Sequence, residues 1–167
     1  ADKKADSKSR TCHSQTVATH LKKMNIKFLT IVFLIGILSV ANAQDNVDKN
    51  EMVGFACYYE GKPSKTVEKF TRNLKNENYR WISNQLTSKN NAERYMSVIT
   101  LEKLTELGKY KLNETELELI RGIKNSSELV SVCSGCTYFQ KVELKNMFTN
   151  EMLTMAYNWL NYSFKTE

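Results

Sequence analysis

The residues with chemistry to offer are cysteines. The chain carries four, and Cys133-Ser134-Gly135-Cys136 sets two of them at the C-x-x-C spacing that thiol exchange and metal binding both use. Cys57 is a third thiol far upstream. Three chemistries are open to this set. In the first the cysteines are structural: Cys133 bonds to Cys136, or one of them bonds to Cys57 and closes a long loop. In the second, Cys133 and Cys136 form a redox dithiol with Cys57 as a resolving thiol, Gly135 allowing the tight turn. In the third, the three thiolates hold zinc or another soft metal with a carboxylate or water as fourth ligand. Geometry constrains the choice. In mid-helix, residues i and i+3 have Cβ atoms about 5–6 Å apart, whereas a disulfide needs about 3.5–4.5 Å. A Cys133–Cys136 bond therefore requires a turn or a first helical turn.

The metal reading lacks a second C-x-x-C and lacks histidine. Both histidines of the chain, His13 and His20, stand with Cys12 in the first 23 residues. From residue 44 onward there is no imidazole, which excludes Ser-His-Asp and Cys-His nucleophiles and any histidine zinc site. The redox reading lacks the cis-proline of thioredoxin-like sites, since the chain's one proline is Pro63. No phosphate-binding glycine loop, paired catalytic carboxylates or EF-hand pattern is present, so no cofactor and no metal are expected. The acidic run Glu106, Glu114, Glu116 and Glu118 reads as a solvated helix start that favours the macrodipole. Asn113, Asn125 and Asn161 head N-x-S/T triplets, which matter only in a eukaryotic secretory pathway.

The compartment of these cysteines depends on Met24–Ala43, MNIKFLTIVFLIGILSVANA. Lys27 supplies a basic n-region, Phe28–Val40 an apolar h-region and Ala41-Asn42-Ala43 an A-x-A cleavage site, with Gln44 as first mature residue. The h-region runs 13 residues, short of the about 20 needed to span a bilayer. The segment is predicted to be a cleaved signal peptide, placing the mature chain in a secreted or periplasmic, oxidising setting; the competing expectation is an uncleaved membrane anchor that begins at Ile26. Residues 1–23 read as a non-structural leader upstream of a start at Met24. The +6 charge of the whole chain belongs largely to the first 43 residues. Residues 44–167 hold 17 Lys and Arg against 16 Asp and Glu, a net +1, so the basic face that nucleic-acid binding requires is not expected.

Residues 44–167 have the length of one domain. Met52–Tyr59 reads as a short extended segment with no evident strand partner, closed by the turn Glu60-Gly61-Lys62-Pro63. Helical spacing then takes over. Val67, Phe70 and Leu74 follow a Ser64 cap, and Tyr79, Ile82 and Leu86 mark a short second helix. Asn90 with Glu93 forms an Asn capping box for a third helix ended by Gly108, whose broad apolar face from Tyr95 to Leu107 makes it central. Asn113 with Glu116 caps a fourth, with Leu112 and Leu117 as its hydrophobic staple. A last helix runs from about Asn150 to Phe164, rich in Tyr157, Trp159 and Tyr162.

The polar turn, Asn-x-Ala-x-Arg entry and apolar helix of LTSKNNAERYMSVITLEKL, Leu86–Leu104, resemble a unit of HEAT-like helical repeats, which implies a stacked binding scaffold. GFACYYEGKP and VCSGCTYF are similar to segments of small exported bacterial proteins of unknown function. The sequence thus leads to an all-α antiparallel array, HEAT-like, with an extended N-terminal segment. The function expected of it is non-enzymatic binding of a protein partner, or a structural role, without nucleic acid or membrane span. The rival expectation is a thiol-disulfide oxidoreductase using Cys133, Cys136 and Cys57.

Overall fold

The computed structural model describes residues 47–165. The leader (1–23) and signal-peptide (24–43) expectations, with Cys12, His13 and His20, lie outside the described residues. Strand β1 is Met52–Val53. Four helices follow: α1 Lys65–Lys75, α2 Tyr79–Asn84, α3 Asn91–Glu106 and α4 Glu114–Lys124. Strands β2, Leu129–Ser134, and β3, Tyr138–Glu143, form a hairpin, and helix α5, Asn150–Lys165, closes the fold. Single 3₁₀ segments at Gln85–Thr87 and Leu144–Phe148 join α2 to α3 and β3 to α5.

The all-α, HEAT-like expectation is corrected by a three-stranded mixed sheet of order β1-β2-β3. β1 runs parallel to β2, with Met52 beside Ser131 and Val53 beside Val132. β2 and β3 are antiparallel from Leu129–Glu143 to Ser134–Tyr138. The extended N-terminal segment does have a strand partner, reached by a crossover of four helices, the kind of long connection that parallel pairing demands. The cause lies in the side chains of β2. Val130 and Val132 alternate with Ser131 and Cys133, the period-2 pattern of a strand with two different faces. Val53, Val130, Val132 and Val142 face the helices in the main core. Met52, Cys133 and Phe139 gather with Cys57 in a second, smaller apolar cluster on the opposite face.

The helices form largely as their spacing predicts. The Ser64 hydroxyl accepts from Val67 N–H at the start of α1 and donates to the Met52 carbonyl at 2.8 Å, tying the helix to β1. Helix α3 is the central element: Tyr95, Met96, Val98, Leu101 and Leu104 are fully buried, as are Ser97 and Thr100. Ser97 is accommodated because its hydroxyl donates to the Ile82 carbonyl at 2.6 Å, joining α3 to α2. The Asn90 side chain caps α3 by accepting from Ala92 and Glu93 N–H. The expected box is incomplete, because the Glu93 carboxylate turns to Lys69 at 2.7 Å and Ser88 at 2.6 Å instead of reaching back. Gly108 ends the helix at φ +70°, a conformation glycine adopts without steric cost.

Asn113 and Glu116 form a complete capping box on α4. Leu117 is 45% exposed, and Leu112 packs against the main core. α5 docks through Ala156 and Leu160, with Trp159 donating to Thr71 Oγ1 at 3.0 Å and stacking near Phe55 at 5.8 Å. Among the described residues, no helix is long and apolar enough to cross a membrane.

Candidate functional site

The cysteines meet where the sheet ends. After β1 the chain passes through Gly54 and returns to the sheet at Cys57, whose N–H donates to the Lys62 carbonyl at 2.7 Å. Gly135 N–H donates to the Ala56 carbonyl at 2.8 Å, so the tip of the β2–β3 hairpin is bonded to this returning loop. Cys57 and Cys133 are thereby brought to a Cα separation of 5.6 Å and joined by a disulfide, a spacing within the ordinary range for such bonds. Both half-cystines are buried, Cys57 entirely and Cys133 to 4% exposure.

Gly54 makes this closure possible. A Cβ built on Gly54 would overlap both sulfur atoms and stand 2.9 Å from the Cys133 carbonyl oxygen. Its backbone φ lies outside the left-handed region, so the demand for glycine there is one of space alone. Phe139, opposite Cys133 in the ladder, packs against the same apolar cluster as the two half-cystines. Tyr58 leans on Phe139 with ring centroids 5.4 Å apart, and Lys49 Nζ sits 6.0 Å from the Tyr58 ring. Tyr58 holds φ at +62°, a conformation uncommon for a non-glycine residue. Tyr58, Tyr59 and Tyr138 remain exposed around this corner.

Cys133 and Cys136 are therefore separated in the fold. Cys133 lies inside β2, whereas Cys136 is exposed in the turn Gly135–Thr137 at the hairpin tip. The all-α expectation fails here too: the motif lies on a hairpin, no helix begins there, and no helix N-terminus is available to stabilise a thiolate at either position. The sulfur of Cys133 is shared with Cys57, and both residues are buried beside Gly54 and Phe139. Thiol exchange needs an accessible sulfur along the line of attack.

The acidic run also disperses. Glu106 pairs with Lys103 at 2.8 Å, and Glu116 turns inward. Its carboxylate accepts from Tyr110 OH at 2.6 Å, from the Ser83 hydroxyl and from Asn113 N–H at 3.0 Å. Burial raises the Glu116 pKa, but these donors outweigh it and hold the carboxyl below its ordinary value of 4.5. Burial, then the bond to Glu116, raises that of Tyr110. This cluster joins α2, the loop before α4 and α4 itself. Among the described residues, no group of three or more His, Cys, Asp or Glu side chains could hold a metal ion.

Sequence reasoning missed Gly54, Phe139 and the Ser83–Tyr110–Glu116 cluster. The hairpin was detectable: L-V-S-V-C and Y-F-Q-K-V alternate around a three-residue loop that contains Gly135, a strand–turn–strand signal. Gly54 and the bond from Ser83 to Glu116 had no local signal, because their partners lie far away in sequence. In comparisons with known proteins, no family model, curated protein or solved structure matches this chain.

Proposed function

We propose that the protein is an exported, non-enzymatic module, secreted or periplasmic, which binds a protein partner or serves as a structural element, and in which the cysteines are structural. The observation that carries this reading is the Cys57–Cys133 bond: it spans 76 residues of sequence, is buried, and joins the loop after β1 to β2. Such a bond persists in an oxidising compartment and is rare in a reducing one. The signal-like segment Met24–Ala43 supports the same compartment. The near-neutral charge of residues 44–167 weighs against nucleic acid as the partner. The exposed tyrosines at the disulfide corner are of the type enriched where proteins meet.

The test is intact-mass spectrometry of the protein recovered from its host, before and after reduction, with thiols alkylated and peptides mapped. The reading expects an N-terminus at Gln44 and one disulfide, between Cys57 and Cys133. A Cys133–Cys136 bond that opens and closes at glutathione potentials would replace it with the oxidoreductase. A mature chain that retains the residues before Gln44 would remove the export argument.

A further inference from the structure

Among the described residues, β3 stands at the border of the sheet and pairs with β2 through one side only. Leu144 N–H donates to the Glu128 carbonyl at 2.8 Å, which extends the β2–β3 register by one pair. Because bonded and non-bonded pairs alternate in an antiparallel ladder, Val142, Gln140 and Tyr138 exchange bonds with β2. Phe139, Lys141 and Glu143 turn their N–H and C=O groups to the outer edge. That edge has no proline, and its register with β2 is unbroken by a bulge, so two of the usual devices against strand addition are missing. Lys141 is exposed and Glu143 half-buried. Both lie on one face of the strand with Lys145 beyond them, giving alternating signs along a single row.

We propose that β3 pairs antiparallel with β3 of a second copy of this chain, about a two-fold axis at Val142, extending the sheet from three strands to six. The charges select the register. Only arrangements that set an outward residue opposite an outward residue can form hydrogen bonds. Centred on Lys141, the pairing sets lysine against lysine. Centred on Gln140, it sets Lys141 against Phe139 and makes no ion pair. Centred on Val142, it sets Lys141 opposite Glu143 of the second copy and Glu143 opposite the second copy's Lys141, with Val142 against Val142. Glu143 engages its own Lys145 through Oε2 at 2.8 Å, which leaves Oε1 for the second copy's Lys141.

Sedimentation equilibrium on the full chain tests this, with any accessible thiol alkylated by iodoacetamide so that an intermolecular disulfide cannot imitate strand pairing. The native protein is expected to show a concentration-dependent monomer–dimer equilibrium. Lys141→Glu and Glu143→Lys each set like charges opposite one another twice and weaken it by about tenfold or more. An equimolar mixture of the two variants, and the double variant Lys141→Glu/Glu143→Lys, restores association. Far-UV circular dichroism and melting of each variant verify that the monomer fold is retained. A native protein that stays monomeric at every concentration overturns the proposal, and so does a Lys141→Glu variant that dimerises as tightly as the native chain.

Discussion

Gly54 offers the sharpest test of how the fold is closed. Replacing it with alanine adds one carbon where both sulfur atoms of the Cys57–Cys133 bond already stand, with the Cys133 carbonyl oxygen 2.9 Å away. No flexible side-chain end can swing aside, because the sulfurs are covalently joined and the carbonyl belongs to the β2 ladder. The disulfide must open or β1 must move off β2. Closing 76 residues is worth about 4.5 kcal/mol in the chain-entropy account, an upper figure because native strain subtracts. For a domain of this size that corresponds to a fall in Tm of roughly 15 °C. The control is the same substitution in a Cys57→Ala/Cys133→Ala background. There the sulfurs are gone, the 2.9 Å approach to the carbonyl oxygen is the tightest contact left, and the added carbon costs about 1 kcal/mol. Urea unfolding of the four proteins, with thiols counted on each, closes a double-mutant cycle whose expected coupling is about 3 kcal/mol. Additive costs, or a Gly54→Ala protein that keeps an intact disulfide and its native melting point, would refute the argument that the bond depends on the missing Cβ.

Other substitutions probe the rest of the core. Tyr95 is fully buried, and its hydroxyl has no hydrogen-bond partner among the described residues, a burial that also raises its pKa. Tyr95→Phe removes an unsatisfied group at constant shape and is expected to leave the urea midpoint unchanged or raise stability by up to about 1 kcal/mol; a loss above about 1 kcal/mol contradicts that. Glu116→Gln weakens the bonds from Ser83, Tyr110 and Asn113, at a cost of about 1.5–3 kcal/mol in chemical denaturation at neutral pH. The pH dependence has a definite sign. Because the folded Glu116 pKa lies below 4.5, its contribution is fully present above that value and is lost as pH falls through the folded value. Glu116→Gln should flatten the acid limb of the stability profile, and an unchanged limb rules the carboxylate out as its source. Leu160 is fully buried where α5 docks; Leu160→Ala is expected to cost about 2–5 kcal/mol in urea unfolding. Hydrogen exchange of α5 amides should rise with it, and unaltered protection there would show that α5 is held by other contacts.

The helices were legible because their determinants are local. Ser64, Asn90, Asn113 and Gly108 act on the backbone within a few residues of themselves, and the apolar spacing of Val67, Phe70 and Leu74 identifies a buried face without knowledge of what covers it. The strands were less legible. β1 is two residues long and exists only because β2, nearly eighty positions later, provides its hydrogen-bond partners. The C-x-x-C spacing drew attention to a shared reaction, yet Cys133 lies within a strand and Cys136 in a turn, so their proximity in sequence does not make them a pair.

By itself, the sequence determined the positions of the helices, the central place of α3, the lack of imidazole beyond residue 43 and the set of cysteines from which a disulfide could be drawn. Those are properties of single residues or of neighbours a turn apart. Which cysteines join, why position 54 must be glycine, which strand borders the sheet and that Ser83 donates to Glu116 were decided by the tertiary structure alone. Each of these is a contact between segments whose separation along the chain carries no periodic signal, and it takes shape only when packing brings their backbones within hydrogen-bond or van der Waals reach.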